Sequence, residues 1–168
     1  MLARVNPPAA TGSVKFMDGP TCIGTEPLNA GQATLTTSNL APGSKTITAV
    51  YTGDGNHAGS TSPALIHTVE KRATTATISS TPNPSTSGQP VTFTAVVAAT
   101  PSDGATPNGT VSFYAGDTAL GTASLDTKGA ANFSTPALSA GKYEVKAVYR
   151  GSDVFAESTS TPITHIVQ

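Results

Sequence analysis

The sequence has no tryptophan, one cysteine and few charged residues. Its 168 residues contain 9 Lys and Arg against 10 Asp and Glu, which gives a net charge of −1 at pH 7. This balance provides no electrostatic basis for binding nucleic acid or an anionic membrane surface. The lone Cys22 cannot form a disulfide within the chain, so the redox compartment stays undetermined. No apolar run approaches the roughly 20 residues of a spanning helix, and we expect no membrane insertion.

Turn-forming residues are abundant instead. The chain contains 16 glycines and 13 prolines and is dense in Thr and Ser, a composition that favours short strands over helices. Apolar residues alternate in segments such as "PVTFTAVVA" (90–98) and "KYEVKAVYR" (142–150), as on a half-buried strand. Turn signals such as "TPSDGATPNG" and "DTKG" separate these segments, and no window has helical periodicity. The pattern predicts an all-β chain.

Much of the sequence occurs twice. "AVYTGDGNHAGSTS" (49–62) matches "AVYRGSDVFAESTS" (147–160), and "GSVKF" (12–16) matches "GTVSF" (109–113). A period of about 100 residues has the length of a small domain and is too long for a solenoid repeat. About seven short strands in this length indicate an antiparallel β-sandwich. We therefore predict two tandem domains, residues 1–70 and 71–168.

The first repeat lacks N-terminal strands that the second one has. "TTATISSTPNPSTSGQPVTFTAVVA" opens the second repeat with two strands, and only "ARV" (3–5) of the first repeat matches its end. This difference predicts that the sequence is a piece of a longer array, with core positions such as Val14, Phe16 and Ile47 left uncovered. We expect self-association through the first repeat, by edge pairing or strand exchange. The alternative is that residues 1–10 fold back and close the sandwich.

The repeated motifs resemble the bacterial Ig-like repeat domains that occur in tandem in large secreted and cell-surface proteins. The resemblance rests on "GTVSF", on the pattern L-x-x-G-x-Y-x-V-x-A-V-Y-x-G and on the loop "YTGDGNHAGSTS". It implies two Ig-like sandwiches, neighbouring Ig-like repeats as partners, and an extracellular or cell-surface location. It also implies a stalk, spacer or adhesion role without cofactor or catalytic residues. The first ten residues have no apolar stretch of signal-peptide length.

One segment of the second repeat resembles the tyrosine corner of Ig-like and fibronectin-like sandwiches. "LSAGKY" places Tyr143 at the start of a strand, two residues after Gly141, and the first repeat has Lys45 at the tyrosine position. The corner is therefore predicted for the second repeat only. Tyr149 ends the same strand, where we expect solvent to reach its hydroxyl.

Four residues of the loop "GDGNHAGS" are candidates for chemistry. Asp54 and Asn56 could ligate calcium, and Ser60, His57 and Asp54 could form an esterase-like hydrolytic set. The alternative is a turn whose Asp and Asn side chains satisfy loop amides. We favour the turn because calcium needs six or more oxygens and because three residues of one loop seldom build a triad.

The remaining candidates carry weaker signals. His67 and His165 recur at one repeat position without a second histidine or cysteine nearby, so a surface or packing role is favoured over metal ligation. Cys22 is interpreted as a strand residue with a free thiol. The Thr- and Ser-rich strand faces could bind surface glycans, and they are equally typical of a solvated sheet. No cofactor is predicted, since the sequence lacks the P-loop, dinucleotide and paired-cysteine zinc motifs.

Overall fold

The computed structural model describes residues 1–102, 104–135 and 138–168. The chain divides into two compact units, Met1–Glu70 and Lys71–Gln168, called unit 1 and unit 2 below. Every regular element in the described residues is a β-strand, so these residues include no helix that could cross a membrane. The predicted all-β class is confirmed. Asp103, part of the predicted turn "TPSDGATPNG", lies outside the described residues.

Unit 1 has seven described strands in two sheets. One sheet has the order β3-β2-β5-β6, with β7 also paired to β5, and the other pairs β1 with β4. All these pairings are antiparallel. The strands are β1 (Leu2–Arg4), β2 (Ser13–Asp18), β3 (Thr21–Pro27), β4 (Gln32–Thr34), β5 (Gly43–Tyr51), β6 (Ser60–Thr61) and β7 (Leu65–Val69).

Unit 2 has eight described strands, also in two sheets. One sheet has the order β12-β9-β8, and the other has the order β11-β10-β13-β14, with β15 also paired to β13. The strands are β8 (Ala73–Thr81), β9 (Val91–Thr100), β10 (Thr110–Ala115), β11 (Thr118–Ser124), β12 (Ala130–Thr135), β13 (Gly141–Tyr149), β14 (Ser158–Thr159) and β15 (Ile163–Val167).

The strands β1 to β7 correspond in order to β9 to β15. Phe16 pairs with Ala49 in unit 1, as Phe113 pairs with Ala147 in unit 2. The hairpins β2–β3 and β10–β11 each have a register shift directly after that phenylalanine. The sequence repeat is therefore also a repeat of strand order and register.

Strand β8 has no counterpart among the described residues of unit 1. Its side chains alternate in exposure because one face packs inward, and that inner face carries Thr74, Ala76, Ile78 and Ser80. After β8 the chain continues to Ser85, which pairs in parallel with Val167 of β15. Residues 71–87 thus contact both sheets of unit 2. We call residues 71–87 the closing segment.

The core of unit 2 forms where the inner faces of its sheets meet. Phe93, Phe113 and Tyr149 are completely buried there. The rings of Phe113 and Phe133 stack with their centroids 5.5 Å apart. The alternation in β9 gives the predicted inner face, with Val91, Phe93, Ala95 and Val97 buried.

The core of unit 1 is smaller but is not open at the predicted positions. Val14, Phe16 and Ile47 are only 1–5% exposed, so the expectation that they lack a cover is wrong. Val14 and Phe16 are covered because part of residues 1–10 folds back, with β1 pairing to β4 and Ala10 buried in the same core cluster. An apolar side chain that is exposed in unit 1 is that of Leu65, which is 59% accessible to solvent.

Candidate functional site

The loop between β5 and β6 is organised around the carboxylate of Asp54. Its Oδ2 accepts hydrogen bonds from Thr11 N (2.8 Å) and Thr11 Oγ1 (2.9 Å), and its Oδ1 accepts from Asn56 N (2.8 Å) and His57 N (2.7 Å). The backbone amides of Thr11 and Asn56 contribute most to holding the pKa of Asp54 well below its ordinary value. The charged carboxylate therefore fixes the loop to the segment just before β2.

The loop brings two of the three hydrolytic candidates together. His57 Nδ1 lies 2.8 Å from Asp54 Oδ1, the contact by which an acid orients a catalytic base. Ser60 lies on β6, is exposed, and has no hydrogen bond to His57 in the described structure. The described structure therefore orients the His57 imidazole but places no serine nucleophile in hydrogen-bond contact with it.

The same carboxylate is poorly placed to ligate calcium. Both oxygens of Asp54 already accept protein hydrogen bonds, and the described contact of Asn56 is made by its backbone N–H. Among the described residues, no group of three or more His, Cys, Asp or Glu side chains could hold a metal ion. Calcium takes six to eight oxygens, and this loop offers too few.

The matching loop of unit 2 keeps the conformation without the histidine. Ser152 N donates to Phe155 O at 2.9 Å, as Asp54 N donates to His57 O at 2.9 Å in unit 1. Phe155 occupies the position of His57 and is buried in the core. The loop shape is thus common to both units, and the polar side chains of unit 1 are one of two ways to support it.

The two recurrent histidines have different surroundings. His165 is completely buried, with its ring nitrogens 3.2 Å from Ser80 Oγ and 3.1 Å from Ser85 Oγ. Its ring meets the ring of Phe93 edge-on at 5.4 Å, and burial lowers the pKa of the imidazole. His67 is exposed on β7. His165 therefore packs in the interior of unit 2, and His67 lies at the surface of unit 1.

Cys22 is an exposed residue of β3 with a free thiol. Its Sγ lies 3.6 Å from the carbonyl oxygen of Gly24, which is a weak contact within the same strand. No described base contacts the thiol, and the structure places Cys22 as a strand residue.

The predicted tyrosine corner is present in unit 2. Tyr143 Oη donates to the carbonyl oxygen of Ser139 at 2.9 Å. At the corresponding place in unit 1, Lys45 forms an ion pair with Asp18 at 3.5 Å. The corner therefore ties down the chain before β13 only.

Two further tyrosine anchors, one in each unit, were not predicted from the sequence. Tyr149 is completely buried and donates to Asn108 O at 2.6 Å, so the expectation of a solvated hydroxyl is wrong. Tyr51 donates to Thr11 O at 2.8 Å in the same way. The signal was available in the sequence, since both tyrosines occur in the repeated "AVYxG" and each partner precedes a glycine.

Unit 1 has an open groove where unit 2 has its closing segment. The groove has a volume of about 460 Å³. We call it the unit 1 groove. It is lined by β1, by β6 and the residues after it, and by side chains of the core, among them Phe16, Ile47, Ala49, Ser62 and Leu65.

Family comparison finds one domain type in both units. The model of the bacterial Ig-like domain (group 3) matches residues 1–70 and again residues 78–168. The chain belongs to the bacterial Ig-like domain family. The suspected resemblance is thus confirmed, and the two sandwich-like units are bacterial Ig-like domains.

Among solved structures, the fibronectin(III)-like modules of Clostridium thermocellum CbhA match 99% of this chain and 93% of theirs, at 17% identity and a TM-score of 0.44. No curated protein matches the chain.

Proposed function

We propose that this chain is a non-catalytic structural module, a spacer or stalk within a secreted or cell-surface bacterial protein. One observation carries the proposal: the loop with the most promising chemistry keeps its shape in unit 2, where Phe155 replaces His57. A loop retained for catalysis would keep the base, whereas a loop retained for architecture needs only support. Membership of the bacterial Ig-like family supports the same role and an extracellular location.

The polar strand faces support a structural role as well. On the face shared by β9 and β12, Thr92 Oγ1 lies 2.6 Å from Ser134 Oγ, and Thr94 Oγ1 donates to Asn132 Oδ1 at 2.7 Å. These groups satisfy one another across the strands, as expected for a solvated sheet. They therefore favour a spacer over a surface that binds glycans.

The strand arrangement of unit 2 suits a module under tension. The end of the closing segment runs parallel to β15 at Ser85, where Ser85 N donates to Ile166 O (2.9 Å) and Gln168 N donates to Ser85 O (2.8 Å). A pull between the ends of unit 2 draws the two parallel segments in opposite directions and loads these two bonds together in shear. Such an arrangement resists force better than bonds that open one at a time.

Single-molecule force spectroscopy on the whole chain tests this role. We expect unit 2 to unfold in one resolved step that releases about 3.3–3.6 Å per residue. Ser85→Pro removes the donor to Ile166 and should lower the unfolding force. Thr127→Pro is the matched control, because Thr127 is exposed at the second position of the turn that Gly129 N closes on Asp126 O, where proline is favoured.

Two results would contradict the proposal. One is extension of unit 2 without a resolved force step. The other is hydrolysis of a panel of ester substrates that both Ser60→Ala and His57→Ala abolish, because that result would show that the loop is catalytic.

A further inference from the structure

The closing segment of unit 2 is held at both ends by its backbone. Near its start, Arg72 N donates to Val154 O and Ala156 N donates to Arg72 O, both at 2.8 Å. Near its end, Ser85 bonds to Ile166 and Gln168 through its backbone. Between these two ends, β8 pairs antiparallel with β9. The segment is therefore bound as an extended strand that bridges the two sheets.

Side chains of the closing segment add specific anchors. Thr74 Oγ1 lies within hydrogen-bond distance of Ser158 Oγ (2.7 Å) and of Ala156 O (3.0 Å). Ser80 and Ser85 contact the two ring nitrogens of the buried His165. Hydroxyl groups along the closing segment thus bond to the strands beneath it.

Unit 1 presents the same partners at the matching positions. Ser60 and Ala58 correspond to Ser158 and Ala156, and His67 corresponds to His165. His67 is exposed where His165 is completely buried. Ser60 and His67 have no side-chain hydrogen bond within the part of the chain that the structure describes. The binding surface is therefore repeated in unit 1, with its polar groups directed to solvent.

Apolar surface follows the same pattern. Ala147 is completely buried in unit 2, whereas its counterpart Ala49 is only half-buried and lines the unit 1 groove. Leu65, on the rim of the groove, is 59% exposed. An added strand would remove this apolar area from water, which is a favourable contribution to binding.

The backbone edge of β1 is available to the same strand. Ala3 pairs with Ala33, as Ala95 pairs with Ala131, so β1 corresponds to the part of β9 around Ala95. In unit 2 the other side of Ala95 pairs with Ile78 of β8. Among the described residues no strand pairs with the other side of β1.

We propose that the unit 1 groove is a binding site for an extended polypeptide strand of the same chemical class as the closing segment. The ligand is rich in Thr and Ser, carries two adjacent apolar side chains flanked by hydroxyls on its inner face, and pairs antiparallel with β1. Its residue equivalent to Ile78 lies opposite Ala3 and enters the groove. Strand addition at this groove is a binding function beyond that of a simple spacer.

The probe is a fluorescently labelled synthetic peptide of the closing segment, KRATTATISSTPNPSTS, titrated with the whole chain and followed by anisotropy. Unit 2 already contains this segment, so binding of the free peptide reports on unit 1. The peptide variant Ile78→Asp puts a charge on the inner face, and Ser79→Asp puts the same charge on the outer face. In the chain, Leu65→Asp alters the groove, and Val96→Asp is the control at an exposed apolar residue of unit 2.

We expect saturable binding of the peptide. The affinity should fall by about tenfold or more for the Ile78→Asp peptide and for the Leu65→Asp chain, since each buries an unpaired carboxylate. The Ser79→Asp peptide and the Val96→Asp chain should bind within about twofold of the unmodified pair, because exposed substitutions have small effects.

Three results would overturn the proposal: absence of saturable binding, equal affinity for the Ile78→Asp and Ser79→Asp peptides, or equal affinity of the Leu65→Asp and Val96→Asp chains. Light scattering after size-exclusion chromatography separates a strand ligand from a second copy of the chain. A dimer that the peptide dissociates supports strand binding. A dimer that Leu65→Asp dissociates and the peptide leaves intact shows that the groove takes a second copy instead.

Discussion

Two tyrosines of strand β13 illustrate how burial changes the value of one hydrogen bond. Tyr143 and Tyr149 each donate to a backbone carbonyl, at 2.9 Å and 2.6 Å. Tyr143 is half-buried, so water can replace part of what its hydroxyl provides. Tyr149 is completely buried, and removal of its hydroxyl also leaves a gap in a packed core.

This difference predicts the order of two substitutions. Tyr149→Phe should lower the free energy of unfolding of unit 2 by about 1–2 kcal/mol, and Tyr143→Phe by about 1 kcal/mol or less. Denaturant midpoints of the two variants measure the effect. A larger loss for Tyr143→Phe would mean that the corner anchors unit 2 more strongly than the buried hydroxyl does.

Other single residues show why the sequence alone could not predict the packing. A Cβ on Gly121 would overlap the ring of Phe133, and a Cβ on Gly24 would overlap the side chain of Leu35. These glycines recur in the repeated sequence, but their neighbours across the sheets become known only once the sheets are packed. Alternation along a strand predicts which face is buried and not which side chains meet there.

At the scale of elements, the closing segment joins the two sheets of unit 2 through His165. The imidazole lies between Ser80 and Ser85 with no exposed surface, so its neutral form is favoured. Its pKa in the folded state is therefore lower than in the unfolded chain, where it is about 6.5. The unfolded state binds the proton first as the pH falls, and stability is lost below the unfolded pKa.

The sign of this linkage gives a pH dependence. Between pH 7 and pH 5 the thermal midpoint of unit 2 should fall, and His165→Gln should reduce that dependence. His67→Gln is the control at the exposed counterpart and should leave the dependence unchanged. Thermal unfolding of the whole chain at both pH values measures it. An equal dependence in His165→Gln and the unaltered chain would show that another group controls the effect.

Strand positions could be predicted from the sequence better than the way the core of unit 1 is covered. Alternation in "PVTFTAVVA" and "KYEVKAVYR" predicted β9 and β13, and the missing counterpart of β8 in unit 1 followed from comparing the repeats. The burial of Val14 and Phe16 was not predictable in this way. They pack with part of residues 1–10, which folds back although Pro7 and Pro8 argue against a long ladder there. The ladder that forms has only the three residues of β1.

At the scale of the whole molecule, the two Ig-like domains share strand order and register. They differ in the closing segment, which only unit 2 has among the described residues. The core of unit 2 includes the inner face of a three-stranded sheet, whereas the second sheet of unit 1 is the two-stranded pair β1–β4. A smaller buried apolar area offsets less of the conformational entropy lost on folding. The account therefore predicts two units of unequal stability.

Denaturant unfolding of the separate fragments 71–168 and 1–70 at low protein concentration tests this claim most directly. Fragment 71–168 should unfold in one steep transition, because it contains both sheets and its closing segment. Fragment 1–70 should lose its structure gradually, without a cooperative transition, since its groove has no strand. Equally steep transitions at similar midpoints for the two fragments would contradict the account, because they would show that unit 1 is complete without an added strand.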